Sequence, residues 1–345
     1  MSIEITLYTK KATKSSLIKY LRDHDFYKVK HFIDSFNDEN NLHYMWFGSK
    51  NNESTTGVES TIIKVDNDLK KQFKCSDWIL HTRTKSNGSF EDKAKQNEII
   101  KSARKQFGGT FYNDGYGTNR YIDLNDYPRF QPHEKAISNI RENALEKLFQ
   151  ITNSVENYEN SLSDNLQSIN IPALKDLLKT KDPSVTLYNS LIPFLVSVIE
   201  YFFGEIFIAI IRYDPVAKEL IAKENFKIGI SEVVKIENKE KSIEESVAEN
   251  YNFQNLDSIN KVYNKFVQID IFSILSKRKK VNGKILRILN KLEDLINSRH
   301  NIIHNLEFNY ELTKNDYLTY VKTVEKMVEM IVDELENQRK LNIER

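Results

Sequence analysis

Residues 191–211 constrain the fold more than any other part of this chain. They are almost continuously apolar, yet the run contains Pro193, Ser197, Glu200, Gly204 and Glu205. A membrane span would have to carry two carboxylates into hydrocarbon at high cost, so the run reads as the central helix of a bundle with no membrane contact. Such a helix needs amphipathic neighbours to cover it. Helical patterns occur at residues 132–158, 258–275, 283–306 and 317–341, the last with Val321, Val324, Val328, Ile331 and Leu335 as a packing stripe. Between them, residues 160–170 read as a polar loop and residues 172–178 as a short helix opened by Pro172. Residues 212–260, rich in Lys and Glu, read as short helices within an ordered insertion.

The first third of the chain has a different period. Residues 3–9, 43–47, 57–65 and 78–84 are rich in β-branched or aromatic residues and read as strands, and residues 15–21 as a short helix. Residues 90–107 read as a helix opened by Glu91 and Asp92 and ended by Gly108 and Gly109. Residues 110–112 and 120–122 are expected to add a last strand pair around the turn-rich 113–117. Patterning is interrupted at residues 125–132, Asn-Asp-Tyr-Pro-Arg-Phe-Gln-Pro, which gives the best boundary. The expected class is therefore α+β: a small α/β domain with a mostly antiparallel sheet over residues 1–128, then an all-helical bundle over 132–345. A chain of 345 residues is long enough for two real cores.

Composition narrows function mainly by exclusion. Fifty Lys and Arg face 49 Asp and Glu, so no global attraction to nucleic acid follows and any such contact must be local. The single Cys75 rules out an internal disulfide and a cysteine-based metal site. His24, His31, His43 and His81 look scattered, with no metal-ligand spacing, so neither metal nor cofactor is expected. The amino terminus lacks an apolar signal segment, and the expectation is a cytoplasmic protein.

The chemistry concentrates at residues 299–304, Arg-His-Asn-Ile-Ile-His. Leu289, Leu292, Ile296, Arg299, Ile303 and Leu306 follow one another at steps of three and four, which places Arg299 on an expected buried stripe. A guanidinium there must be paired, open to a cleft or shared with a second subunit. Glu200 is its candidate partner within the bundle, with a lone carboxylate at the bundle end as the other reading; Glu205 is read as peripheral. His300 and His304 lie four apart on a neighbouring face, where both can flank one groove with Arg299. Arg299 can clamp a phosphate there while imidazole, whose ordinary titration lies near neutrality, relays protons. RNA would supply its own 2′-hydroxyl nucleophile. The bland reading is a capping and salt-bridge cluster at a helix end.

Residues 296–308, Ile-Asn-Ser-Arg-His-Asn-Ile-Ile-His-Asn-Leu-Glu-Phe, resemble the Arg-polar-x-x-x-His signature of the HEPN superfamily, as found in bacterial defence and toxin systems. The resemblance implies an all-helical bundle that often dimerises and brings two motif copies together around RNA. It casts Arg299 and His304 as catalytic and His300 as an orienting or assisting residue in the variable polar position; Asn301, beside them in the sequence, is a candidate supporting residue. The implied activity is metal-independent endoribonuclease chemistry in antiviral defence or growth arrest, which needs restraint from the amino-terminal domain, from an antitoxin or from a separate regulatory protein. The superfamily also has noncatalytic members, so the alternative is a protein-interaction or ligand-sensing module.

Other features carry weaker signals. Lys277, Arg278, Lys279, Lys280, Lys284 and Arg287 form a basic stretch with no intervening acid, suited to a nucleic-acid backbone or to a solvated helix start. In residues 108–121, glycines and aromatics are dense, and Tyr112, Tyr116 or Tyr121 beside Arg120 can stack a base. The stronger reading is glycines supplying special backbone angles between short strands. Trp46 and Trp78 read as core or half-buried sheet residues.

Overall fold

In the computed structural model, residues 2–31, 36–48, 54–167, 171 and 184–344 are described, with the backbone alone for 162–167. The chain divides into two compact units, Met1–Lys135 and Ala136–Arg345. The fold is α+β: an antiparallel sheet unit and a predominantly helical unit.

The first unit is built on strands whose alternate residues separate core from solvent. In β1 (Ser2–Tyr8), Ile3, Ile5 and Leu7 are buried while Glu4, Thr6 and Tyr8 take the other face. The remaining strands are β2 (Tyr27–Lys28), β3 (Asn41–Trp46), β4 (Val58–Lys64), β5 (Trp78–Lys85), β6 (Thr110–Asn113) and β7 (Gly117–Thr118). They form one sheet in the order β2-β3-β4-β5-β1-β6-β7, every neighbouring pair antiparallel. Helices α1 (Lys14–Asp23) and α3 (Phe90–Phe107) pack on the face lined by Leu7, Val58, Ile62 and Leu80. A short helix, α2 (Asn67–Phe73), lies between β4 and β5. Both packed helices begin with reciprocal caps, Thr13 with Ser16 and Ser89 with Asp92. Asp92 also accepts the Thr55 and Thr56 amides, pinning a loop to the start of α3. Trp46 and Trp78 are partly buried against this core. Gly109 is required by close approach, because a Cβ there would lie 2.0 Å from the Tyr8 carbonyl oxygen. One expected pair is corrected here: β6 pairs with Gly117–Thr118, not with residues 120–122, because the turn at Asp114–Tyr116 closes sooner and returns the chain at once.

The helical unit is organised around α5 (Ser184–Tyr213), the apolar run read from sequence, whose Leu195, Ile199, Phe202, Phe203, Ile206 and Phe207 are buried. It is the one helix, among the described residues, apolar and long enough to cross a membrane, and it is mostly buried within the bundle. Each such side chain contributes roughly 1.5–3 kcal/mol by leaving water. Around it lie α4 (Pro132–Gln167), α11 (Ile288–His300) and α12 (Lys314–Arg339). Short helices α6 (Pro215–Ala222), α7 (Ile230–Glu237), α8 (Ile243–Ala248), α9 (Leu256–Val262) and α10 (Ile271–Leu275) fill the interval before α11.

Several sequence expectations for this unit need correction. Residues 160–167 continue α4 instead of forming a loop, and residues 172–178 lie outside the described residues. Residues 258–275 are not one helix: α9 widens into a π turn at Tyr263–Val267 and stops at left-handed Gln268. The unit is also not all-helical. Residues 278–287 form a hairpin, β8 (Arg278–Val281) and β9 (Lys284–Arg287), where a helix start was expected. Asn282 and Gly283, both at positive φ, form the two-residue turn that reverses the chain.

Candidate active site

Helix α11 carries the Arg299 motif. Ile288, Leu292 and Leu295 are its buried face, followed by Ile302. Arg299 falls on this face between Leu295 and Ile302 and is half-buried. The expected stripe was rotated by about one residue: Leu289 and Ile296 are partly buried flanks, and Ile303 and Leu306 face solvent. The helix does not continue through residue 306. It widens into a π turn, Asn301–Asn305, closed by Leu306 in the left-handed region at φ 54°. The Leu306 and Glu307 amides both donate to the Asn301 carbonyl.

This turn presents the histidines outward. His300 and His304 are exposed, their ring centroids are 4.6 Å apart and the rings are tilted by 44°. Asn301 is exposed beside them. Arg299 has no hydrogen bond or ion pair within 4 Å among the described residues, although Glu200 of α5 acts on it electrostatically. Burial pushes the Glu200 carboxyl up, and the Arg299 charge pulls it part of the way back. A half-buried guanidinium with no hydrogen bond or ion pair among the described residues, next in the chain to an exposed imidazole pair, is suited to hold an anion. Glu205 belongs to a separate cluster, raised by burial and by Glu245 and lowered by Lys147 and Arg212.

One supporting residue was missed in the sequence. Asn189 of α5, fully buried, accepts the Asn309 amide at 2.8 Å and donates to the Asn309 carbonyl at 3.0 Å. This two-point clamp fixes the segment that leaves the π turn. The signal available was an Asn inside an otherwise apolar helical run, where a buried amide must find partners.

The basic residues are brought together, but not with the motif. Arg278 and Arg287 are paired directly across the hairpin, with Lys280 on the same face and Lys279 and Lys284 on the other, and Lys277 just before it. Among the described residues none of the six has an ion pair within 4 Å. The hairpin adjoins the start of α11, about 18 Å of helix rise from Arg299. In the sheet unit, Tyr116 and Tyr121 pack against the core, Tyr112 is exposed, and Arg120 is exposed. No group of three or more His, Cys, Asp or Glu side chains among the described residues is arranged to hold a metal ion.

A family model, RiboL-PSP-HEPN, matches residues 153–337, more than half of the chain. The chain belongs to this HEPN family. No curated protein and no solved structure matches it. The matched span of the HEPN domain contains α5, the hairpin, α11, the π turn and nearly all of α12, and so the whole motif. HEPN membership places the chain, in general terms, among nuclease and RNA-related proteins.

Proposed function

We propose that this HEPN chain is an endoribonuclease that cleaves RNA by 2′-hydroxyl transesterification without a metal. The observation that carries the reading is the exposed His300–His304 pair, 4.6 Å between rings, where the helix passes into the π turn, next to a half-buried Arg299 with no hydrogen bond or ion pair among the described residues. Arg299 holds the scissile phosphate and the charge that builds on its oxygens. One imidazole takes the proton of the 2′-hydroxyl, whose oxygen bonds to phosphorus as the bond to the 5′-oxygen breaks. A second, protonated imidazole gives its proton to that leaving oxygen. His304 is the main proton-transfer residue, His300 assists, and Asn301 and Glu200 support the site. The products are a 2′,3′-cyclic phosphate and a 5′-hydroxyl.

Two copies are proposed to share one cleft. Ile303, Leu306 and Tyr310, within six residues of His304, are exposed apolar side chains that a second subunit can cover. The cationic hairpin, with Lys277, Arg278, Lys279, Lys280, Lys284 and Arg287, is assigned to the RNA backbone. The role is growth arrest or antiviral defence, restrained by an antitoxin or regulatory protein.

The test is incubation of the purified chain and its His304→Ala variant with total RNA and EDTA, followed by mapping of the ends. Cleavage by the unmodified chain alone, leaving cyclic-phosphate ends, is the expected result. Absence of cleavage, with or without a co-purified partner, moves the chain to the noncatalytic HEPN class.

A further inference from the structure

The sheet of the first unit has one face covered by α1 and α3 and another that carries a row of ionisable residues. Register places Met45, Glu59, Arg83 and Glu4 side by side across four strands, and His43, Thr61, His81 and Thr6 in the adjoining row. The histidines that looked scattered in sequence are thus gathered here: His31, His43 and His81 line one cavity of about 370 Å³ with Glu4, Glu59 and Arg83. That size lies within the range of small-molecule sites, roughly 300–1,000 Å³.

The polar groups divide into spent and unspent. His43 is committed on both nitrogens, to the Thr61 hydroxyl at 3.1 Å and the Phe36 carbonyl at 2.9 Å. His81 Nδ1 is hydrogen-bonded to Thr6 at 3.0 Å, and burial pushes its pKa down, toward the uncharged ring. These imidazoles serve as flat walls. Arg83 and Glu59, by contrast, make no hydrogen bond among the described residues: Arg83 is held in loose ion pairs, 3.6 Å from Glu4 and 3.8 Å from Glu59, which leave the hydrogen-bonding positions of the guanidinium and of the Glu59 carboxylate available. The cavity therefore offers a guanidinium fork and a carboxylate in loose mutual contact, with His31, His43, His81 and Met45 in the same lining.

We propose that this cleft binds a guanine base. Guanine presents adjacent donors, N1–H and the N2 amino group, which suit the Glu59 carboxylate, and adjacent acceptors, O6 and N7, which suit the Arg83 fork. Adenine turns an acceptor, N1, toward the carboxylate. A bare phosphate meets two carboxylates, Glu4 and Glu59, against Arg83 and Lys30. The base can come from a free nucleotide or from an unpaired position of RNA, and either source uses the same edges. This inference rests on the first unit alone and is independent of the Arg299 site.

Calorimetric titration of the whole chain separates the outcomes, with guanosine monophosphate, adenosine monophosphate and a short oligouridine carrying one central guanine as probes. Guanosine monophosphate is expected to bind at least about tenfold more tightly than the adenosine analogue, and both Glu59→Gln and Arg83→Gln to weaken it by about tenfold or more. Binding of the guanine oligomer but not of the mononucleotide would assign the site to RNA and still support it. No binding of either guanine probe, equal binding of the adenine probe, or binding indifferent to both substitutions would overturn it. Both side chains are about half exposed, so unchanged melting temperatures are expected for the variants and serve as the folding control.

Discussion

The helical unit contains the same backbone device twice, with opposite surroundings. At Tyr263–Val267 and at Asn301–Asn305 a helix widens into a π turn and ends on a left-handed residue, Gln268 at φ 60° and Leu306 at φ 54°. In each, the amides of the left-handed residue and of its successor converge on the carbonyl that opens the turn, Tyr263 or Asn301. The first copy is core: Tyr263, Phe266 and Val267 are buried, and the Tyr263 hydroxyl donates to the Phe203 carbonyl at 2.6 Å. The second buries only Ile302 and turns His300, Ile303, His304 and Leu306 to solvent. One turn is thus explained by packing. The other is not, and its exposed imidazoles and apolar side chains are the residue types that a ligand or a second subunit requires.

The comparison breaks most sharply under paired substitution. Tyr263→Ala removes a fully buried ring and its hydrogen bond, an expected loss of about 3–5 kcal/mol that should abolish the cooperative thermal transition of the helical unit. His304→Ala should leave that transition in place within about 2 °C, while RNA cleavage falls by roughly a hundredfold or more. Arg299→Ala should do the same to cleavage, and Arg299→Lys should restore little of it, because the bidentate fork is lost. A His304→Ala protein that cleaves normally would make the second turn structural like the first.

How much of this was legible in sequence follows from which interactions are local. The strands around Ile5 and Leu80 and the limits of α3 could be read because β-branched runs, the acids Glu91 and Asp92 and the terminal Gly108 act within a few residues. Strand β2 could not, since Tyr27 and Lys28 are strand only through pairing with Met45 and Tyr44. The hairpin was hidden by apolar spacing that ran on into α11, although Asn282-Gly283 was a turn signal in plain view. Arg299 was placed correctly on the inner face because Leu292 and Arg299 belong to both the expected and the observed stripe. Ile303 and Leu306 were misplaced because a π turn alters the angular step between residues, and no short-range pattern marks it. The gathering of His31, His43 and His81 depends on sheet order, which strand patterns alone do not reveal.

Asn189 sharpens the contrast at smaller amplitude. Its clamp on Asn309 holds the exit of the second turn, and Asn189→Ala leaves those backbone groups without this partner, an expected cost of about 1–3 kcal/mol. Thermal melting should record that loss, and the cleavage rate should fall by less than it does for His304→Ala, since the imidazoles remain. An unchanged melting temperature would show that the exit segment is held elsewhere.

Glu200 tests the electrostatics behind the exposed turn. Its pKa is raised because burial outweighs the attraction of Arg299, so the native state binds its proton more tightly than the unfolded chain does. The stability it contributes is complete below about pH 4.5, the ordinary glutamate value, and is lost as pH rises through the raised native value. Glu200→Gln and the unmodified chain should therefore melt alike at low pH, with the variant becoming relatively more stable toward neutrality. The reverse sign would mean that attraction to Arg299 dominates.

The smallest effect concerns the two left-handed caps. Gln268 and Leu306 are both exposed and both adopt φ values that disfavour an L side chain, so Gln268→Gly and Leu306→Gly should each relieve backbone strain. The greater freedom of glycine in the unfolded chain offsets part of that relief, leaving a net gain of less than about 1 kcal/mol at either site. Equal shifts in melting temperature would show that the two turns share one backbone cost. If cleavage falls in Leu306→Gly while Gln268→Gly leaves it unchanged, the difference isolates the Leu306 side chain, which is 83% exposed two residues after His304. That combination, equal in stability and unequal in activity, would locate function in what the second turn displays and not in its backbone.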